Sequence, residues 1–275
     1  MAAMAGLRRW LCVALLGGLP TLALSQAAAE GPPPQPLTSP VELRLAGAHR
    51  FRVGIVVNNA GDFMAEFGRL GTLIGDGTVV PVAEGFFWRI AIVRSQVDGH
   101  SLGDNRPLME IEMLTDARGN PLGQEVSFSS RVPDDRDGRR HSFYLVATAR
   151  WLGGGVAAVL PAAPLGQGAP LGNLQAAVAG LLDFMAPGVK LSAPPPQLVV
   201  AGARVVQGRQ AVHGAARGPV NFNAPLGAVT IQSEAQVDVA LDSGLPLASR
   251  LSLAGRLPGS FGQMDFTVRT TLRPY

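Results

Sequence analysis

The sequence predicts a mainly β (α+β) protein: an antiparallel curved sheet or half-barrel built from meanders, with one or two short helices. Three observations lead there. Apolar and polar residues alternate over long runs near the C-terminal end, and period two means a strand with one buried and one wet face. Asp, Gly and Pro interrupt those runs at short intervals, as tightly connected antiparallel strands require. Only two segments carry helical spacing.

Taken in order, residues 1–25 have the layout of a secretory signal peptide. Arg8 and Arg9 precede an apolar run from Trp10 to Leu24, and Ala23, Ser25 and Ala27 are small. The apolar run is too short to span a bilayer. Cleavage after Ser25 puts Ala23 three positions before the cut. The Arg8-Arg9 pair also fits a twin-arginine export signal. Export implies a periplasmic or secreted protein. Cys12, the single cysteine, lies inside the apolar run, so the mature chain has no disulfide chemistry. The stretch 26–40 is Ala- and Pro-rich, with Pro32-Pro33-Pro34, and reads as an extended tether.

A first antiparallel β region is expected over 41–150. Phe86, Trp88, Ile90 and Ile92 share one parity. Met109, Ile111 and Met113 form the next run, and Leu122, Val126 and Phe128 the one after. Turns fall at Asp98-Gly99 and Asp116-Ala117-Arg118-Gly119. A short helix is expected over Asp62–Leu73, where Phe63, Phe67 and Leu70 are helically spaced, although Gly68 and Gly71 oppose it. A loop and short helix fill 151–196. Asn173 caps that helix, and Leu174, Val178, Leu181, Leu182 and Met185 form its stripe. Pro187-Gly188 ends it.

The second β region, 197–275, is expected to continue the same domain. Val229, Ile231, Val237, Val239 and Leu241 form the apolar parity, with Gln232, Glu234, Gln236 and Asp238 on the wet one. Asp242-Ser243-Gly244 is a turn. Leu245, Leu247, Leu251 and Leu253 follow, then a break at Pro258-Gly259, then Met264, Phe266, Val268 and Leu272. The hairpin Asp116–Leu122 resembles Asp242–Leu247, each with Asp, Gly and then Pro-Leu. This suggests two similar halves, or only the residues that any hairpin collects.

Charge narrows the function. Lys+Arg number 23 and Asp+Glu 20, and removing Arg8 and Arg9 leaves 21 against 20. Nothing clusters into a nucleic-acid footprint. No later apolar stretch reaches the ~20 residues of a membrane helix, so no transmembrane anchor is expected after cleavage. An outer-membrane barrel fits poorly: Tyr275 is odd where Met264, Phe266, Val268 and Leu272 are even, and Pro274 lacks a ladder donor.

Two motifs suggest chemistry. Gly99-His100-Ser101-Leu102-Gly103 matches the G-x-S-x-G elbow, with Asp183 and His213 following in hydrolase order. The elbow needs a helix at once, and a period-two segment follows instead. Asp134-Asp135-Arg136-Asp137-Gly138 resembles part of a calcium loop, but the distal Glu is missing and Arg136, Arg139 and Arg140 crowd it. A solvated hairpin tip is the better expectation. His49, His100, His141 and His213 have no ligand spacing, so no metal or cofactor is expected.

The export signal, the Asp-Gly-Pro-Leu hairpins and the alternation through Thr271 resemble, in layout, the periplasmic lipoprotein-carrier half-barrels (LolA/LolB-like) and related secreted bacterial β proteins. That resemblance implies a strongly curved sheet lidded by helices and a non-catalytic envelope role with an apolar or amphiphilic ligand, such as a lipid, on the concave face. Phe86, Trp88, Ile90 and Ile92 are then the candidate lining, with the Leu174–Met185 stripe (Val178 included) as lid; the competing expectation is ordinary core. The alternatives are a structural or assembly module contacting envelope proteins, and a serine esterase using Ser101.

Overall fold

The computed structural model describes residues 32–62, 64–103, 106–129, 132–155, 163–172, 175–185, 188–224, 227–257 and 262–275. The expected signal peptide, the start of the tether, the Asn173 cap and the Pro258-Gly259 break lie outside them. The first half supplies β1 (His49–Asn59), β2 (Leu70–Val82), β3 (Gly85–Val97), β4 (His100–Gly103), β5 (Met109–Thr115) and β6 (Pro121–Phe128). Helix α1 (Arg136–Gly155), β7 (Pro170–Gly172), helix α2 (Gln175–Met185) and β8 (Lys190–Leu191) connect it to the second half. There follow β9 (Leu198–Val206), β10 (Arg209–Ala224), β11 (Gly227–Ala240), β12 (Pro246–Arg256) and β13 (Gln263–Pro274).

These 13 strands form one open, curved, antiparallel sheet in the order β6-β5-β3-β2-β1-β13-β12-β11-β10-β9-β7, with β4 beside β3 and β8 beside β10. The first half winds outward from the centre. The second half starts at the far edge and winds inward until β13 pairs with β1, Val57 opposite Val268. Each half is thus a meander of five main strands. The two Asp-Gly-Pro-Leu hairpins occupy non-equivalent connections, β5–β6 and β11–β12. Their likeness is turn chemistry.

Alternation sets the inner face. Phe51, Val53, Ile55 and Val57 of β1 are 0 % exposed, and Met264, Phe266, Val268 and Leu272 of β13 are buried beside them. A bulge shifts this parity in β9. His213 pairs with Gly202, but Gly214 pairs with Val200, so Ala201 is skipped. Leu198 and Val200 therefore join the main core, while Val206 joins Ala211, Ala240, Leu247 and Ala248 in a second cluster.

Five sequence expectations need correction. Asp134–Gly138 is not a hairpin tip but the entry into α1, which begins at Arg136, and 151–155 is not loop but the end of that helix. Asp135 caps this helix, its Oδ1 accepting the Gly138 amide at 2.7 Å. The first β region therefore ends in a helix. Asp62–Leu73 is not a helix either. A 3-10 turn spans Ala65–Phe67, and β2 has begun by Leu70. Gly68 stops the turn at φ 109°, and the Asp98 carboxylate takes the amides of Arg69 (3.0 Å) and Leu70 (2.9 Å). The tether, where described, is docked. Gln35 and Ala203 exchange two backbone bonds of 2.8 Å, and Val41 and Leu165 exchange bonds of 2.9 and 2.7 Å. It continues inward, burying Leu43 and Leu45 in the main core. Asp238, placed on the wet parity, is 2 % exposed, because it is enclosed by Arg204 and His213.

Helix α1 lies along the inner face. It is buried on most sides from His141 to Leu152, as a helix with no continuous polar stripe must be. Its close approach to β2 requires Gly71: a Cβ there meets the Tyr144 ring at 2.3 Å. We expect Gly71→Ala to cost about 1–3 kcal/mol, the range of core overpacking. A Tyr144→Leu background should relieve most of that loss, as read by urea unfolding of the four-variant cycle.

Candidate functional site

The four lining candidates all point inward from β3. Phe86 is 7 % exposed, Trp88 and Ile90 1 %, and Ile92 0 %. They are packed by protein. The Trp88 ring lies 6.2 Å from Phe51, and its indole N–H donates to Thr115 Oγ1 at 3.2 Å. The stripe Val178, Leu181, Leu182 and Met185 is buried as expected. Its main partner, however, is α1. The lid is therefore two helices deep, and α1 is the layer against the sheet.

That inner layer carries polar side chains which the sequence reading assigned no role. His141 Nδ1 lies 2.8 Å from Ser95 Oγ of β3. Burial holds the His141 imidazole below its usual pKa, assisted by His100 and opposed by Asp137 and Asp135. Trp151, two to three turns further along, donates its indole N–H to Thr270 of β13 at 2.8 Å. Gln124 of β6 donates to the Ala149 carbonyl at 3.2 Å, so the edge strand also grips the helix. Phe143 stacks on Phe67 at 4.8 Å and meets Phe184 of α2 at 5.2 Å.

Between these anchors stand Tyr144 and Thr148, one turn apart. Both are 0 % exposed, and neither hydroxyl has a hydrogen-bond partner among the described residues. Burial, reinforced by the Asp98 carboxylate, raises the Tyr144 pKa far above its ordinary value. It stays a neutral phenol with a proton to donate. A buried hydroxyl left unpaired costs about 1–3 kcal/mol. Two of them in an apolar interior are the least satisfied feature of the described core. An Asp before a long apolar run was the available sign of this helix.

The second buried polar group lies on the outer face of the other half. Arg204 of β9 donates to both Asp238 oxygens, Nε at 2.7 Å and Nη2 at 2.6 Å. His213 of β10 approaches Oδ1 through Nδ1 at 2.9 Å. Burial pushes the Asp238 pKa up, but the bonds from His213 and Arg204 outweigh it and hold the carboxyl below the usual range. This is a closed ionic unit that bridges three strands.

The hydrolase residues are not brought together. Ser101 is exposed in β4, opposite Gln96 in an antiparallel hairpin. Its turn, Asp98-Gly99, is a tight hairpin with φ 45° and 90°. No strand–turn–helix elbow surrounds it among the described residues. Asp183 accepts the Gly188 amide, and His213 is held by Asp238. Ser95 and His141 are within bonding distance, but 0 % and 4 % exposure keeps both from a substrate in this state. Among the described residues, no group of three or more His, Cys, Asp or Glu side chains is placed to hold a metal ion. No helix there is long and apolar enough to cross a membrane.

No family model and no curated protein matches the chain. Among solved structures, it is similar to DynF from the dynemicin biosynthesis pathway of Micromonospora chersina, at 10 % identity, with 90 % of each chain covered and a TM-score of 0.20.

Proposed function

We propose that this is an exported, non-catalytic envelope protein that holds an apolar or amphiphilic small molecule between α1 and the inner face of the sheet. The observation that carries the reading is the pair of hydroxyls on Tyr144 and Thr148, unpaired among the described residues in an interior whose other polar side chains, Ser95 with His141, Trp88 with Thr115 and Trp151 with Thr270, are paired. A molecule with an apolar body and one polar acceptor matches that pattern: it satisfies the hydroxyls while its body stays among Trp88, Ile90 and their neighbours. An open sheet supports this role, because its curvature can widen without any ladder bond being lost. The curved sheet beneath helices is also the layout expected of lipoprotein-carrier-like half-barrels.

Native mass spectrometry of protein purified from its own envelope tests the proposal. A co-purifying lipid or other amphiphile is expected, and it should be lost in Tyr144→Phe/Thr148→Val. Stripped of ligand, that double variant should be as stable as the wild type or more so by about 1–3 kcal/mol, since orphan donors are removed. A ligand-free wild type that is indifferent to added amphiphiles sinks the idea.

A second reading, an assembly module, has its own observation. Edge strand β6 exposes Leu122 at 56 % and Phe128 at 48 % beside a single charge, Glu125. Exposed, weakly charged edges favour strand addition by another chain. A protein partner in the same mass spectra, with no small molecule, favours this reading.

A further inference from the structure

We propose that the strand-end rim, where the start of β1, the β9–β10 hairpin and the end of β13 converge, binds a singly charged organic oxyanion: a carboxylate or a phosphodiester. The site is a cleft of about 410 Å³ lined by His49, Arg50, Gln207, Arg209 and Tyr275 among others. Three strands, β13, β12 and β11, separate β1 from β10 in the sheet, so curvature creates this meeting.

Two guanidinium groups face a deficit of partners there. Asp242 takes Arg209 Nη2 at 3.2 Å, but Arg209 Nη1 is buried and unpartnered. The Arg50 side chain makes no ion pair or hydrogen bond among the described residues; only its carbonyl is used, by the Tyr275 amide at 3.1 Å. Asp242 offsets Arg209, while Arg50 brings a guanidinium whose side chain has no partner among the described residues. A planar guanidinium offers parallel N–H bonds to carboxylate or phosphate oxygens. The cleft is larger than a bare oxyanion needs, and Pro274 with the 74 % exposed Tyr275 ring offers a surface for the organic part.

The walls are held in place. Gln207 and Gly208 have φ 53° and 79°, the two positive values of a type I′ turn, which locks the hairpin. The Gln207 amide donates to the Leu247 carbonyl at 3.3 Å. His49 Nε2 donates to the Ala46 carbonyl at 2.5 Å. A preformed cleft loses little entropy when it binds.

Calorimetric titration with butyrate and, separately, dibutyl phosphate tests the site. Saturable binding of at least one is expected. The first alone points to a soluble carboxylate, the second alone to a headgroup-like diester, and each supports the shared chemistry. Arg50→Gln should weaken binding about tenfold or more, as loss of charged hydrogen bonds does. Its unfolding midpoint should not move, since the side chain has no partner to lose. Arg209→Lys, which keeps a charge toward Asp242 but loses the fork, should weaken binding too. The exposed Arg118→Gln should not. No saturable binding of either probe, or binding that Arg50→Gln and Arg209→Lys leave intact, overturns the assignment.

Discussion

Asp238→Ala is expected to destabilise the fold by about 3–5 kcal/mol, the cost of leaving a buried charge without its partner. Arg204 is 8 % exposed and its fork is directed at the Asp238 carboxylate, so its charge has nowhere else to go. The penalty should come from the stranded Arg204 rather than from the missing carboxylate. A triple variant, Arg204→Met/His213→Leu/Asp238→Leu, should therefore recover most of the loss. The surrounding side chains, Val206, Ala211, Ala240, Leu247 and Ala248, are already apolar. The pH dependence has a definite sign. The folded-state pKa of Asp238 is depressed, so its contribution is fully present above the unfolded value of about 3.9 and is lost as pH falls through the folded value. Acid titration of stability should show a drop below about pH 4 that the triple variant lacks. Urea midpoints at a series of pH values check both statements. A single Asp238→Ala variant within about 1 kcal/mol of wild type would mean that the cluster is solvated.

The same residues show where sequence reading ends. Strands β11 to β13 were legible because Val229 to Leu272 alternates with few exceptions and Asp242-Ser243-Gly244 supplies its own turn chemistry. Helix α2 was legible because a stripe at 178, 181, 182 and 185 survives against one neighbour. Helix α1 was not. It is enclosed by β2, β3, β5, β6 and α2, so polar side chains such as His141 and Thr148 are buried along with the apolar ones, and its Gly153-Gly154-Gly155 end imitates a loop. Asp238 kept the parity of a wet position, but the Ala201 bulge turned Arg204 onto its face and enclosed it. Phe86, Trp88, Ile90 and Ile92 share one buried face of β3, as their common parity implies, yet the helix that covers that face was invisible from sequence. The Ser95–His141, Trp151–Thr270 and Arg204–Asp238 pairs span 46, 119 and 34 positions, and nothing local announces contacts of that range.

Trp151→Ala should bring a loss of about 3–5 kcal/mol, the usual range for deleting a buried tryptophan. Trp151 is 1 % exposed and is the point where α1 meets the centre of the sheet, β13 beside β1. Two parts of the effect can be separated. Trp151→Phe keeps most of the apolar volume but orphans the Thr270 hydroxyl, which should cost about 1–3 kcal/mol. Adding Thr270→Val removes the orphan and should return part of that loss, so the pair should show coupling in a double-mutant cycle. The size of the alanine effect also bears on the proposed ligand. Trp151 follows Thr148 by three residues, so it borders the unpaired hydroxyls. If α1 is a true core element, Trp151→Ala unfolds the whole sheet at lower urea with one cooperative transition. If α1 is a seat that yields to an amphiphile, the variant should keep most of its sheet signal, lose near-ultraviolet asymmetry first and bind added amphiphile more readily. Cooperative collapse without any gain in binding would restrict the interior to a packing role and leave the β6 edge as the functional surface.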